Sequence, residues 1–196
     1  FPTNPDGMLI NHHAIAKNGR IHLGLLKRAV TDDEHTLRLG WWSGNERLKH
    51  ERLPVRLSAA VPRDAPLVML DGELPTDDGV IVEGILPIPA GADAPGAGLY
   101  VETDENRGVG ILVRAAGVTE FGAMQADGSG LQCDLRADRE MPFGPTARFR
   151  LVLKGWLLEF YLDDILMECY SLPGRATGRI GVLGGANGPG DLQAWR

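Results

Sequence analysis

The chain has 196 residues, 43% of them hydrophobic and 23% charged, with a formal net charge of −6. That is ordinary globular material, long enough for one substantial core. An acidic balance with scattered basic residues argues against a nucleic-acid partner, and no apolar run reaches the roughly 18 residues that span a bilayer.

The predicted elements are short strands throughout. No window carries an apolar stripe at helical spacing over three turns; short alternating runs recur every 8 to 12 residues or so instead. The first begins at Gly7-Met8-Leu9-Ile10. Lys17-Asn18-Gly19-Arg20 predicts a hairpin turn, because Asn-Gly accepts positive φ at both central positions. Ile21 to Ala29 runs back, and Leu37 to Trp42 and Leu53 to Leu57 follow. Ala59 to Pro66 reads as a connector. Leu67 to Leu70 and Val80 to Leu86 are expected to pair across Pro75 to Gly79. Leu99 to Thr103 pairs with Val109 to Arg114, and Glu120 to Gln125 with Leu131 to Leu135. Phe149 to Tyr170 is three strands with turns at Lys154-Gly155 and Asp163-Asp164. Ile180 to Leu183 and Leu192 to Trp195 close the series. The 26 glycines and 13 prolines fall at intervals as turn punctuation.

About 12 to 14 antiparallel strands joined by hairpins predict an all-β fold, a jelly-roll-like sandwich of two sheets. The domain division expected is an N-terminal hairpin segment over 1–60 and a sandwich module over 61–196. All five histidines lie in the first segment. Cys133 and Cys169, each in an alternating run, predict two buried free thiols rather than a disulfide framework or a zinc site. The chain opens Phe1-Pro2-Thr3 with no signal segment, which reads as an excised module whose export signal, if any, lies outside it. The absence of an N-x-Ser/Thr sequon fits a bacterial source.

The middle strand of the Phe149 to Tyr170 run supplies the first candidate site. Leu158, Phe160 and Leu162 alternate with Glu159, Tyr161 and Asp163, so one set enters a core and the other faces outward. A sugar site needs polar groups that grip vicinal hydroxyls and a planar group against the ring. Arg150 and Glu159 supply the first, and Tyr161 or Trp156 the second. Trp42 is a further candidate platform, because one member of Trp41-Trp42 should be exposed. On this reading Glu159→Ala abolishes glycan binding with little change in melting temperature. The plain alternative is a cross-strand ion pair on a solvated sheet, worth about 0.2–1 kcal/mol.

The segment from Phe149-Arg150-Leu151 through Glu159-Phe160-Tyr161-Leu162-Asp163-Asp164 resembles the signature near the end of the C-terminal β-sandwich of glycoside hydrolase family 32, the invertases and levanases. That sandwich is similar to carbohydrate-binding module family 66, a fructan-binding module. Thr177-Gly178-Arg179-Ile180-Gly181 and Gly190-Asp191-Leu192-Gln193-Ala194-Trp195 resemble its last two strands. The resemblance covers roughly residues 79 to 196 and places the chain among concanavalin-like sandwiches. Arg20 to Gly24 and Leu37 to Trp42 look like outer strands of the final blade of a preceding five-bladed propeller, or extra strands of the sandwich. The family's catalytic motifs W-M/L-N-D-P-N and R-D-P are absent, so no catalytic residue is assigned.

The resemblance implies a non-catalytic accessory module of a bacterial glycoside hydrolase, binding a fructan-like or other glycan, with an upstream catalytic domain as partner. A secreted or periplasmic setting goes with it. The first rival is a purely structural sandwich that stabilises a propeller. The second is a self-contained hydrolase or lyase using Tyr100, Arg114 and Glu120. No cofactor or metal ligand set is assigned: His12 and His13 are adjacent in a strand and diverge. A structural calcium at Asp104, Asp163 or Asp191 is the one ion the loops leave open.

Overall fold

The computed structural model describes residues 7–16, 19–59, 65–103, 107–137, 141, 143–184 and 188–196. Strands β1 (Leu9–Ile10), β2 (His13–Ile15), β3 (Ile21–Leu23), β4 (Lys27–Thr31) and β5 (Leu37–Trp41) come first. A 3-10 turn over Ser43–Leu48 leads to β6 (Arg52–Leu53) and β7 (Leu67–Met69). Then follow β8 (Val80–Pro87), β9 (Ala97–Thr103), β10 (Gly108–Val113), β11 (Thr119–Met124) and β12 (Gln132–Ala137). The last five are β13 (Thr146–Lys154), β14 (Leu157–Leu162), β15 (Ile165–Ser171), β16 (Ala176–Leu183) and β17 (Gly190–Trp195).

These strands build two large antiparallel sheets and one small one. The nine-stranded sheet runs β1-β4-β5-β15-β14-β13-β8-β17-β6, and the six-stranded sheet runs β12-β11-β10-β9-β16-β7. The all-β sandwich expected from the alternation is the architecture observed. The extra strands beyond the expected number are pieces of two or three residues, too short to show a period. Among the described residues, strands β2 and β3 pair only with each other.

The core lies between the two large sheets. Leu158, Phe160 and Leu162 of β14 meet Leu99 and Val101 of β9, Val109 and Ile111 of β10, and Phe121 of β11, all fully or nearly fully buried. Phe160 sits edge-on to Phe121 at 6.2 Å and stacks on Phe149 at 6.3 Å. The turn between β14 and β15 is Asp163-Asp164, with φ of 43° and 64°. Two consecutive left-handed residues make the tight primed turn that matches the twist of a hairpin.

Several local expectations are corrected. Leu67–Met69 and Val80–Pro87 do not pair: β7 joins β16 in the six-stranded sheet and β8 joins β13 and β17 in the other. The chain between them crosses from one layer to the other. The first turn of the three-stranded run falls on Gly155-Trp156, one residue later than expected, because Lys154 pairs with Leu157. Cys133 is exposed and Cys169 half-buried, and both are free thiols. The Asn18-Gly19 turn lies partly outside the described residues, as do the Ala59 to Pro66 connector and the Asp104 turn.

Candidate functional site

The outer face of the nine-stranded sheet is not open. Ile81, Val152, Tyr161, Leu166 and Trp41 form a second apolar cluster on it, and Leu25, Leu39 and Trp195 pack against that cluster. The chain from β1 to β6 supplies the cover. Strands β1, β4 and β5 extend one edge of the sheet, β6 pairs with β17 at the other, and the intervening segment lies over the face.

Beneath that cover sit three of the residues expected to grip a sugar. Glu159 and Tyr161 are 0% exposed and Arg150 is 4% exposed. The correction concerns solvent, not register: the alternation aimed Glu159 and Tyr161 outward, and another part of the chain then closed over them. Lys27 forms an ion pair with Glu159 in which neither side chain is exposed. Tyr161 donates its hydroxyl to Glu159 Oε2 at 2.7 Å, and the Leu25 backbone N–H donates to Oε1 at 3.0 Å. Lys27 Nζ also donates to the Leu25 carbonyl at 2.7 Å. Gly24 is required here by close approach: a Cβ would fall on Glu159 Oε1 and within 2.7 Å of Lys27 Nζ. Burial pushes the Tyr161 phenol far above its ordinary value, and the Glu159 carboxylate adds to the effect. Burial also brings Lys27 below the ordinary lysine value, with Glu159 opposing.

Arg150 is equally committed. It donates to Glu83 Oε1 at 2.6 Å and Asp164 Oδ1 at 2.5 Å, and lies 3.4 Å from Glu46. Its guanidinium stacks 3.9 Å above the Trp41 ring. Lys49 bridges Glu46 at 2.6 Å and Glu83 at 2.8 Å, and Trp41 Nε1 donates to Glu46 at 2.7 Å. No side of the guanidinium is left for a ligand. The Glu46 to Lys49 turn pins the cover to the sheet.

The two tryptophans fare differently. Trp156, in its turn, stacks on His22 at 6.4 Å and lies under Arg20 at 4.5 Å and Arg175 at 5.5 Å. It fastens the β2–β3 hairpin to the sandwich. Trp42 is half-buried, with its ring against Gly44 and its N–H unpartnered among the described residues. Arg114 and Glu120 form an ion pair at 2.9 Å, while Tyr100 is buried in a separate cluster with Leu67, Met124 and Leu183. The structure does not bring those three together as an acid–base set.

One group among the described residues has metal-ligand chemistry: His12, Glu159 and Cys169 place donor atoms within 4.8 Å of one another. Burial, then the Lys27 charge, lowers the His12 imidazole below its ordinary value, so it is neutral at pH 7. Burial, then Glu159, pushes the Cys169 thiol up to about 12. A protonated thiol and an ammonium already paired with the carboxylate fit a metal poorly, because Lys27 holds the position a cation would take.

Sequence reasoning missed a different feature. A cleft of about 550 Å³ opens on the same outer face, where the cover stops short of the sheet's end. Its floor is Ile81 and Val152 with Leu157, and its wall is the Trp195 indole. Arg52 at 5.7 Å and Lys49 at 5.9 Å from the ring centroid fix the indole's orientation. The rim carries His50, Asp78 and Lys154, whose side chains make no hydrogen bond or ion pair among the described residues, and the Arg196–Glu51 ion pair at 2.5 Å. The signal in the sequence was the alternation of Gln193 and Trp195 against Ala194, which puts the indole on the outer face.

The fold is a concanavalin-like β-sandwich. The β-fructofuranosidase BmSUC1 of Bombyx mori, in glycoside hydrolase family 32, superposes with a TM-score of 0.56 at 12% identity, covering 89% of this chain and 32% of its own. A glycoside hydrolase family 32 structure from Bifidobacterium adolescentis gives 0.55 at 15% identity, covering 94% of this chain and 30% of its own. Sucrose-6-phosphate hydrolase from Lactobacillus gasseri gives 0.54 at 13%, covering 90% and 34%. The chain thus spans about a third of the length of each. At these identities the likeness is one of fold. No protein-family model matches the chain, and no curated protein matches it significantly.

Proposed function

We propose that this sandwich is a non-catalytic, carbohydrate-binding accessory module of a glycoside hydrolase, and that it binds its glycan in the Trp195 cleft. The observation that carries the reading is the combination found there: a fixed indole, an apolar floor and three unengaged polar side chains on one rim. A sugar ring has an apolar C–H face and a polar periphery, and this arrangement complements both. A fructan is the first ligand to try, on the resemblance to fructan-binding sandwiches and the fold shared with a β-fructofuranosidase. The test is calorimetric titration with levan, inulin and a panel of plant glycans, with a reducing-sugar assay on the same mixtures. Saturable heat without sugar release supports the reading. Release of sugar contradicts the non-catalytic part, and absence of heat contradicts the binding part.

One observation favours a second role for the same module, that of a structural support. The β2–β3 hairpin turns Ile15 (64% exposed), Ile21 (63%) and Leu23 (73%) to solvent on one face. An apolar face of this kind on a two-stranded ribbon suits a further domain of the same polypeptide, and the matched structures are about three times as long as this chain. Leu23 also lines the Trp195 cleft, so a domain docked on this face would border the glycan.

A further inference from the structure

A second concavity, about 640 Å³, lies on the same sheet face two pleats further along β13, β8 and β17, beyond the Lys49–Glu83–Arg150 ion pairs. Arg52, Arg148, Asp191 and Gln193 line it. Arg148 is fixed through its backbone N–H, which donates to Asp163 Oδ1 at 2.8 Å, while its guanidinium makes no hydrogen bond or ion pair among the described residues. The side chains of Gln193 and Asp191 are likewise unengaged, and Arg52 touches only the Trp195 ring.

The backbone at Asp191 is unusual. Gly190 pairs with Ile85 and Gln193 with Glu83, so one extra residue sits in β17, and Asp191 in that bulge has φ of 50°. A non-glycine residue in left-handed backbone is strained, and bulges serve to re-aim a side chain. Here the bulge turns a carboxylate into a concavity that already holds the Arg148 guanidinium and, over the Trp195 ring, that of Arg52. Nothing in the packing requires that carboxylate: it makes no side-chain hydrogen bond or ion pair among the described residues.

We infer that this concavity is a second glycan site, separate from the Trp195 cleft, which binds the vicinal hydroxyls of a neutral sugar through Arg148, Gln193 and Asp191. The donor set selects the ligand. The Asp191 carboxylate repels a bare anion, and the two arginines repel a metal ion. Glu83, which also lines the space, is consumed by Lys49 and Arg150. A diol donates and accepts at once, and so satisfies guanidinium, amide and carboxylate together. With no aromatic platform in the lining among the described residues, this site recognises hydroxyl geometry, where the Trp195 cleft recognises a ring face.

The experiment is a two-dimensional NMR titration of the chain with fructose, glucose and galactose, with sodium sulfate and calcium chloride as controls. At least one sugar should saturably shift the Arg148 Nε–H and Gln193 side-chain amide signals. Arg148→Ala and Asp191→Gly should each weaken that binding by about tenfold or more, the value of a charged hydrogen bond. Asp191→Gly should at the same time raise the melting temperature, since glycine accepts the left-handed backbone. Trp195→Ala should leave these signals responsive, so failure here and failure of the cleft reading are separable. Sulfate reproducing the shifts, a sugar response that survives Asp191→Gly and Arg148→Ala, or no response to any sugar overturns the inference.

Discussion

Lys27 and Glu159, 132 residues apart in sequence, form an ion pair with no exposed surface on either side chain. The pair joins the N-terminal cover to the central strand of the nine-stranded sheet. It also converts Glu159 from a candidate ligand residue into a structural one. Breaking a buried pair leaves one charge without a partner, which costs about 3–5 kcal/mol.

Glu159→Ala is therefore expected to lower the melting temperature by about 10 °C, taking 2–4 °C per kcal/mol for a chain of this size. This reverses the expectation drawn from sequence alone. The double variant Lys27→Met/Glu159→Gln should recover much of the loss, because both charges go while the amide oxygen can accept from the Leu25 N–H and the amide NH2 can donate to the Tyr161 hydroxyl. Thermal melts followed by circular dichroism decide it; a single variant that melts like the parent rules out the pair as a fastening.

Stability should fall in acid through the Glu46–Lys49–Glu83–Arg150 network. Burial alone would raise the Glu83 carboxyl, but hydrogen bonds from Lys49 and Arg150 more than reverse it and hold it below the ordinary value. Glu46 behaves likewise, through Lys49 and Trp41. A carboxylate depressed in the folded state stabilises fully above its unfolded pKa, about 4.3 for glutamate, and loses that contribution as pH falls through its folded value. Urea midpoints measured from pH 7 to pH 3 should therefore hold steady, then drop below about pH 4.3. Lys49→Met should flatten the drop.

The two thiols should react on different timescales. Cys133 is exposed, whereas burial followed by the Glu159 carboxylate pushes Cys169 up to about 12. The nucleophile is the thiolate, so at pH 8 one equivalent of a disulfide reagent should be consumed quickly and the second only on unfolding. Mass spectrometry should place the fast label on Cys133. Rapid labelling of Cys169 would mean that the cover opens readily.

Trp156→Ala should free the β2–β3 hairpin without unfolding the sandwich, because Trp156 holds it through His22 and Arg20. Hydrogen exchange should speed up over residues 13–15 and 21–23 while β9, β10 and β14 keep their protection. Equal acceleration in the core strands would contradict the role given to that indole.

Much of the architecture was legible because the sheet face is a property of period two. Leu158, Phe160 and Leu162 could be assigned inward, and Asp163-Asp164 read as a turn, from local residues alone. What covers the other face was not legible, since it depends on Lys27, Gly24 and Leu25 arriving from a segment more than a hundred residues earlier. The assignment of Arg150 failed for the same reason: its partners Glu46, Glu83 and Asp164 come from three separate parts of the chain. Leu67 to Leu70 and Val80 to Leu86 are expected to pair because they are neighbours in sequence, whereas the layered fold sends the two strands to opposite sheets. Trp195 went unremarked because the cleft around it is made by the cover, by Asp78 and by Lys154, and only the fold unites these.

The most direct test of the account is a calorimetric titration of Trp195→Ala beside the parent chain, using the glycan from the panel that gives saturable heat. Loss of most of the affinity in a variant that still melts cooperatively, at a somewhat lower temperature because Trp195 also packs on the outer-face cluster, is the predicted result, since the indole supplies the apolar surface that the C–H face of a sugar ring buries. Undiminished binding in a well-folded Trp195→Ala would contradict the placement of the glycan in this cleft.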